Sequence, residues 1–392
     1  MTTFFETNKR YLTWAVYLVA AVLVVAWLVP IIGTQRPSRL IQSTIIGLLV
    51  GGVYALIALG IVVINKASGV FNFAHGGMML VSSMIFYSFF TATIIAVPVA
   101  VALSAVVVVM IIGTGRLRDL LSPRTALLAL GAVIVLSVML AIPGKEWQWP
   151  RALIGAALGA ALIGLVIERI AIRPLIGQPL FTSVLVTLAV AELLLGFTNL
   201  IWGSIELPLP IFDWLTSLGI PRPIRINAEA LGGNIIVSTE KLVAFAIGLV
   251  TFIGFVLFFQ FTRVGLAMRA TSENQKLAQA VGMRVRIILA TAWAIASVLA
   301  LNAGALIGGS SSLSLNMPGT ALLAFPAVLL GGLESISGAF VGGLVIGLVQ
   351  EWANLLFPGT EAGTLLAPYL TLMIVLVIKP DGLFGQKRIE RI

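Results

Sequence analysis

Long apolar runs recur along the whole chain, and they limit the possible folds more than any other feature. A helix that spans a membrane needs about 20 mainly apolar residues, because the hydrocarbon layer is roughly 30 Å thick. The runs of this kind are 12–32, 41–64, 70–90, 92–113, 126–143, 152–170, 181–202, 240–262, 285–308, 336–357 and 364–379. Of the 392 residues, 59% are hydrophobic and 10% are charged, whereas a soluble domain has about 25% charged residues. The composition therefore excludes a soluble enzyme, a nucleic-acid binder and a disordered protein.

A shorter apolar run at 318–333 contains two prolines and two adjacent glycines. It is interpreted as a tilted span, a broken helix or a re-entrant segment, because free backbone polar groups inside a membrane need protein or water partners. The predicted fold is an all-α polytopic membrane protein. It has about 11–12 transmembrane segments, with broken or re-entrant helices near 70–80 and 318–335.

The positive charges predict how the chain is oriented. When the run at 318–333 counts as a pass, 17 of the 24 Lys and Arg residues fall on one side and seven on the other. Cytoplasmic loops carry the excess of Lys and Arg. Both termini are therefore predicted to be cytoplasmic, and the net charge of +9 is interpreted as topology rather than as affinity for nucleic acid. The run at 12–32 lacks a small-residue cleavage site and is not a cleaved signal peptide.

Two long polar segments interrupt the apolar runs. The segment 203–239 contains four prolines, which forbid a long helix, and it is predicted to form an ordered external platform. The segment 263–284 is on the predicted inner side. Good helix formers from Leu266 to Val281, followed by Gly282 as a C-cap, predict one short amphipathic helix there.

Glycines four residues apart predict close contacts between helices, because small residues let helix backbones approach each other. Packing within one chain is the favoured interpretation, and dimerisation is the alternative. The pairs are Gly47/Gly51, Gly155/Gly159, Gly338/Gly342 and Gly343/Gly347.

No pattern of catalysis is present in the sequence. The Gly144-Lys145 pair lacks the upstream glycine and the following Ser or Thr of a phosphate-binding loop. The chain has no cysteine and one histidine, which excludes disulfides, thiolate sites and multi-histidine metal centres. We therefore expect no catalytic residue, no metal site and no cofactor on this chain.

Two carboxylates, Glu192 and Glu351, lie deep in predicted spans. A charge in hydrocarbon costs about 3 kcal/mol or more, so such a group is a functional candidate by default. The alternative is that the carboxylate is protonated or hydrogen-bonded between helices.

The junction KASGVFNFAHGGMM at 66–79 combines polar side chains with glycines. Asn72 and His75 are three residues apart and share one face of a helix, next to Gly76 and Gly77. This pattern is typical of a broken helix that lines a pathway. The alternative is that His75 stabilises the break through a structural hydrogen bond.

Five motifs resemble the branched-chain amino acid ABC transporter permeases of the LivH type, and they occur in the order found in that family. They are GLLVGGVYALIALGIVVINKASGVFNFAHG at 47–76, ERIAIRPLIG at 168–177, TRVGLAMRATSENQKLAQAVGM at 262–283, AFPAVLLGGLESISGAFVGG at 324–343 and KPDGLFG at 379–385.

The resemblance implies a non-enzymatic permease subunit in a bacterial inner membrane that imports branched-chain or related small amino acids. Its partners would be a second permease, two ATPase subunits that bind ATP, and a soluble extracytoplasmic substrate-binding protein. Translocation candidates are Asn72, His75, Gly76 and Glu192. The ATPase-coupling helix would comprise Arg269, Ala270, Glu273, Asn274, Ala278 and Gly282.

This chain also departs from the family, whose members are usually shorter. Residues 1–40 are predicted to add an N-terminal transmembrane segment to a permease domain at 41–392. That domain would contain an inserted segment around 114–151 and the external loop 203–239. Gly77 stands where family members often have Glu, which leaves urea or short amides open as substrates. An ion-coupled transporter without an ATPase, or a structural scaffold, remains an alternative.

Overall fold

The computed structural model describes residues 33–115, 122–175 and 178–385. The predicted span at 12–32 lies outside the described residues. The helices are α1 Pro37–Ser68, α2 His75–Thr91, α3 Val97–Gly113, α4 Pro123–Ala141, α5 Gln148–Val166, α6 Leu180–Trp202, α7 Trp214–Ser217, α8 Thr239–Phe261, α9 Arg263–Glu273, α10 Gln275–Ala280, α11 Val285–Ser310, α12 Met317–Gly331, α13 Ile336–Leu356 and α14 Ala367–Ile378. The strands are β1 Ile224–Ile226 and β2 Ile235–Val237.

Seven of the described helices are long and apolar enough to cross a membrane. They are Pro37–Ser68, Pro123–Ala141, Gln148–Leu175, Phe181–Trp202, Thr239–Phe261, Val285–Ser310 and Ile336–Leu356. Shorter apolar helices occur at Val97–Gly113, Met317–Gly331 and Gly363–Ile378. The predicted all-α polytopic membrane fold is confirmed, and the described β-structure is limited to one two-stranded antiparallel hairpin and one isolated bridge.

Helix α1 lies at the centre of the bundle. Its sequence is apolar on every side, and residues 53–63 are buried on all faces, as expected for a helix with no polar stripe. Gly51 lets the backbone of α1 approach α13, since a Cβ atom there would lie 2.8 Å from the carbonyl oxygen of Gly343. The prediction that glycines four residues apart pack helices within one chain is confirmed at this contact between Gly51 and Gly343.

Helix α12, in the region predicted to be a tilted span, a broken helix or a re-entrant segment, is a short continuous helix with Pro326 inside it. Its 15 residues give a length of about 22 Å, which is too short to cross 30 Å of hydrocarbon without a non-helical extension. Before it, Leu313 is fully buried and pairs through its backbone with Leu207. After it, Gly332 has φ 107, a conformation that glycine adopts without strain.

Helices α3 and α4 form an antiparallel hairpin on the outside of the bundle. Arg151, near the start of α5, is 1% exposed and donates hydrogen bonds to the carbonyl oxygens of Phe89 and Thr93 at 3.2 and 3.1 Å. It also donates to the carbonyl oxygens of Ala92 and Ile142. One guanidinium group thus joins the ends of α2 and α4 to α5.

The segment between α6 and α8 is folded. Its apolar side chains Leu209, Ile211, Phe212 and Leu215 are buried, and β1 pairs with β2 in antiparallel register. Prolines keep its helical portion to the single turn of α7. The sequence-based expectation of an ordered platform is therefore confirmed for this segment.

Two ends of the bundle can be defined from contacts. At the first, which we call the Lys66 end, Lys66 donates to the carbonyl oxygen of Glu334 at 3.2 Å and Gln275 donates to the carbonyl oxygen of Ala67 at 3.1 Å. At the second, the Lys241 end, the backbone N–H of Ile236 donates to Gln42 Oε1 at 3.1 Å. The platform lies at the Lys241 end, and α9 and α10 lie at the Lys66 end.

Candidate translocation and coupling site

A short non-helical break separates α1 from α2. Gly69 ends α1 in the left-handed conformation, at φ 70, and its N–H donates to the carbonyl oxygen of Asn65. Asn72 is fully buried; its Oδ1 accepts a hydrogen bond from the N–H of Ala74 at 3.0 Å, and its Nδ2 donates to Met78 Sδ at 3.3 Å. The side chain of Asn72 therefore orders the break that precedes α2, in the manner of an Asx-turn.

His75 is the first residue of α2, and it is fully buried. Its ring packs against α1 at Gly60, where a Cβ atom would meet the imidazole. Neither ring nitrogen has a hydrogen-bond partner among the described residues. The alternative interpretation, in which a hydrogen bond from the His75 ring holds the break, is not seen among the described residues.

Gly76 and Gly77 bring α2 into close contact with two different helices. A Cβ atom at Gly76 would lie 2.9 Å from the carbonyl oxygen of Pro318 in the first turn of α12. At Gly77 it would lie 3.0 Å from the Cβ of Leu194 on α6. The glycine at 77 therefore matches tight packing on α6.

Sequence reasoning missed the groups that support the break from outside. The hydroxyl oxygen of Thr187 on α6 accepts a hydrogen bond from the N–H of Phe73 at 3.3 Å. The ring of Phe325 on α12 packs on Phe71 and Phe73, each with centroids 4.9 Å apart. The two phenylalanines at 71 and 73 are the only sequence feature that indicates an aromatic contact here. Nothing in the sequence identifies Phe325 as their partner.

Glu192 does not join Asn72 and His75. It lies on α6, where only 11% of the residues in the most apolar stretch are buried. The Glu192 side chain is exposed. The alternative interpretation, in which this carboxylate is hydrogen-bonded between helices, is not seen among the described residues. Its part in translocation stays a prediction.

Glu351 is half-buried on α13. It has no Lys or Arg nitrogen within salt-bridge distance among the described residues, although it is near enough to Lys241 and Tyr54 to interact electrostatically with both. The two carboxylates therefore sit in different surroundings, one open and one partly enclosed.

The single amphipathic helix predicted over Leu266–Val281 is wrong. The chain forms two helices, α9 and α10, with extended backbone at Asn274 (φ −158, ψ 104) between them. Asn274 Oδ1 accepts a hydrogen bond from the N–H of Leu277 at 2.9 Å, so this side chain caps α10. Gly282 has φ 87, and its N–H donates to the carbonyl oxygen of Gln279, which confirms it as the glycine that terminates the segment.

The predicted coupling residues differ in accessibility. Ala278 is 3% exposed and Ala270 is half-buried, whereas Glu273 and Gly282 are exposed. Arg269 donates to the carbonyl oxygens of Phe259 and Gln260 and so caps the end of α8. Ala278 and Arg269 therefore hold the segment to its own chain.

Apolar side chains project instead from α9, α10 and the residues up to Gly282, which together we call the coupling segment. Leu266, Leu277 and Val281 are 59%, 62% and 70% exposed, whereas Met268 is 2% exposed. Met268 is therefore in the core, whereas the other three side chains face away from it. Burial of these three side chains against a partner would be favourable by about 25 cal/mol for each Å² of apolar surface removed from water.

A cavity of about 740 Å³ opens beside this segment, between α8, α9 and α13. Phe252, Phe340 and other apolar side chains form most of its wall, and Lys66, Arg269 and Glu273 lie at one side of it. The coupling segment and the interior of the bundle therefore share a cleft at the Lys66 end.

The sequence has recognisable relatives. The profile of the family described as "Branched-chain amino acid transport system / permease component" matches residues 124–378. The high-affinity branched-chain amino acid transport system permease protein LivH of Escherichia coli is 25% identical over 355 residues, which cover 90% of this chain and 97% of LivH. BraD of Pseudomonas aeruginosa is 26% identical over 356 residues, 90% of this chain and 98% of BraD.

An archaeal relative is also similar. The probable branched-chain amino acid transport permease protein LivH of Methanocaldococcus jannaschii is 30% identical over 246 residues, 59% of this chain and 74% of that protein. No solved structure matches the chain. With a family profile that covers most of the chain and relatives that align over nine-tenths of it, this multi-pass membrane protein belongs to the branched-chain amino acid transport system permease family.

Proposed function

We propose that the chain is one membrane subunit of an ATP-binding-cassette importer that moves branched-chain or related small amino acids into the cell. The observation that supports this proposal is family membership, because the relatives are named as transport permease proteins and not as enzymes. The sequence has no phosphate-binding loop, so ATP would be hydrolysed on separate ATPase subunits.

The coupling segment supports docking of an ATPase. It projects three apolar side chains, Leu266, Leu277 and Val281, at the end of the bundle that also holds Lys66 and Gln275. The excess of Lys and Arg favours this end as cytoplasmic. By the same rule both termini would lie inside the cell. As in the importer proposed here, the chain would lie in the inner membrane.

The exposed face of α6 supports pairing with a second permease. Glu192 lies about one turn from Leu188, which is 42% exposed, and from Gly196, which has no neighbour that an added Cβ would meet. A carboxylate near the middle of such a helix is costly against lipid. A protein surface with hydrogen-bond donors, as a second permease would supply, removes this cost.

At the Lys241 end, the platform supports docking of a soluble substrate-binding protein. Its exposed apolar side chains include Ile205, Trp214 and Leu218, at 72%, 41% and 66% exposure. Its fold is fixed by the β1–β2 hairpin and by an ion pair between Arg222 and Glu240 at 3.3 Å.

Reconstitution tests the proposal. The chain is co-expressed with the genes that flank its own gene and purified through a tag on this chain. The purified material is placed in liposomes with ATP inside or outside and labelled L-leucine. We expect an ATPase to co-purify and leucine uptake to require ATP. Uptake driven by an ion gradient without an ATPase would support the ion-coupled alternative, and uptake of urea but not of leucine would change the substrate.

A further inference from the structure

A second, smaller cavity of about 210 Å³ lies toward the Lys241 end, between α1, α8, α11 and the first turn of α12. Sites for drug-sized ligands have about 300–1,000 Å³, so this cavity suits a smaller solute. Its lining is divided into an aliphatic part and a polar part. The lining residues are Leu49, Val50, Val53, Tyr54, Lys241, Ala244, Leu306, Ile307, Ser310, Ser311 and Thr320.

Lys241 supplies the cavity with a positive charge. It is in the first turn of α8 and half-buried, and its ammonium group has neither a hydrogen bond nor an ion pair among the described residues. The neighbouring carboxylate of Glu240 is occupied by Arg222 and Ser238. An ammonium group held beside a cavity in this way is a binding group for a carboxylate.

Hydrogen-bond acceptors lie on the same cavity wall. Tyr54 is 4% exposed, and its hydroxyl donates to Gln350 Oε1 at 2.7 Å, so the oxygen lone pairs that remain can only accept. Ser310 and Ser311 donate their hydroxyl protons to main-chain carbonyl oxygens of α11 and likewise keep acceptor lone pairs. Glu351 adds negative potential near Tyr54. This part of the cavity suits an ammonium group.

The remaining wall is aliphatic. Leu49, Val50 and Val53 on α1 face Leu306 and Ile307 on α11 across the cavity. These side chains carry no polar atoms, so they favour an alkyl group over water. A neutral amide has no carboxylate to pair with the Lys241 ammonium group, which otherwise has only the electrostatic interaction with Glu351. An inorganic anion has no alkyl group for the aliphatic wall.

We infer that this cavity binds a small aliphatic amino acid as a zwitterion. Lys241 would hold the carboxylate, and Tyr54 and Ser311 would accept hydrogen bonds from the ammonium group. The aliphatic wall, which includes Val53 and Ile307, would contact the alkyl side chain. The inference rests on the proposed function and adds to it a solute site within the membrane subunit, on the side that first receives the solute.

The absence of cysteine from the chain permits a direct test. Ser310→Cys puts one thiol on the cavity wall, and Ser217→Cys puts one on the exposed surface of the platform as a control. The full chain in nanodiscs is labelled with a small methanethiosulfonate reagent, with and without millimolar L-leucine or urea. We expect leucine to slow the labelling of S310C several-fold and urea to have no effect. The labelling rate of S217C should be the same with leucine, with urea and without either.

Lys241 is then varied in the S310C background. Lys241→Met removes the charge, so the leucine concentration needed for protection should rise about tenfold or more, which corresponds to one hydrogen bond with a charged group. Lys241→Arg should retain protection. Lys145→Met, which removes an exposed cation from another loop, should change nothing.

Two results separate this inference from the proposed function. If the wild-type complex imports leucine with ATP but leucine does not protect S310C, the cavity is not the solute site and the importer proposal stands. Equal protection in K241M and wild-type backgrounds would also overturn the role of Lys241. If the complex imports no amino acid, the proposed function fails, while protection by leucine would still support the cavity as a zwitterion site.

Discussion

The packing of α1 on α13 predicts how the chain responds to one added methyl group. In Gly51→Ala, the new Cβ atom would lie 2.8 Å from the Gly343 carbonyl oxygen and from the Cα of Leu344. Both are backbone atoms, so no side chain can rotate away. Ordinary contact begins at 3.4 Å, so the helices must separate by about 0.6 Å (3.4 Å less 2.8 Å).

The cost follows from that separation. A gap of about 0.5–1 Å forfeits roughly a quarter to a half of the dispersion energy of each contact, and overpacking a core costs about 1–3 kcal/mol. We expect Gly51→Ala to lower the free energy of unfolding by about 2 kcal/mol. Gly347→Ala should cost at least as much, because its Cβ would lie 2.5 Å from the Cα of Gly51. The double variant should cost less than the sum, since helices already separated accommodate the second methyl group.

Thermal unfolding in detergent micelles, followed by far-ultraviolet circular dichroism, measures the effect. Gly254→Ala on α8 is the matched control, because an added Cβ atom there meets nothing within 4 Å. It should be neutral or slightly stabilising, since alanine favours a helix by up to about 1 kcal/mol over glycine. If Gly51→Ala unfolds at the same temperature as Gly254→Ala, then α1 and α13 are not in backbone contact and the reasoning is refuted.

Three further substitutions test other parts of the structure. Arg151→Met should lower the free energy of unfolding by at least about 3 kcal/mol, because several hydrogen bonds from a charged donor, each contributing about 1.5–3 kcal/mol, are lost; thermal unfolding measures it. Leu277→Asn should weaken ATPase co-purification and leave the chain folded, because this side chain is exposed. Glu192→Ala should lower the yield of the permease pair in cross-linking, since a partner that donates hydrogen bonds to the carboxylate would lose them.

Matched controls accompany these three variants. Arg225→Met and Glu146→Gln alter exposed groups at other sites and should behave as wild type, as should Gln279→Ala on the coupling segment. A wild-type melting temperature for the Arg151 variant would contradict the role of its hydrogen bonds. Unchanged ATPase recovery for L277N, or an unchanged permease pair for E192A, would count against the corresponding surface.

Apolar length and small-residue spacing were sufficient to predict the membrane fold. A run such as that of α1 can only be a buried or spanning helix, and glycines four residues apart leave a groove that another backbone fills. The partner helix was not predictable, because the sequence does not state which two grooves meet. Gly51 and Gly343 were identified separately, and only the structure joins them.

The candidate site was less predictable, because local and long-range roles look alike in sequence. Asn274 was assigned to a contact surface, but its carboxamide caps a helix, and Ala278 fits both a docking face and a core. Glu192 was predicted as a translocation candidate together with the two polar residues of the break, but hydrophobic neighbours on every side do not indicate which face of α6 is covered. Lys241 gave no signal at all, because its first-turn position resembles that of any residue at a membrane boundary.

The contact of α2 with α12 has a mechanical consequence. Pro318 is in backbone contact with Gly76 beside the break, and the other end of α12 accepts hydrogen bonds at Leu330 and Gly331 from the chain that follows α14. Because a helix is stiff along its axis, α12 links the Lys66 end of the bundle to its interior. We therefore expect a movement imposed at that end to displace the first turn of α2, and with it the imidazole of His75.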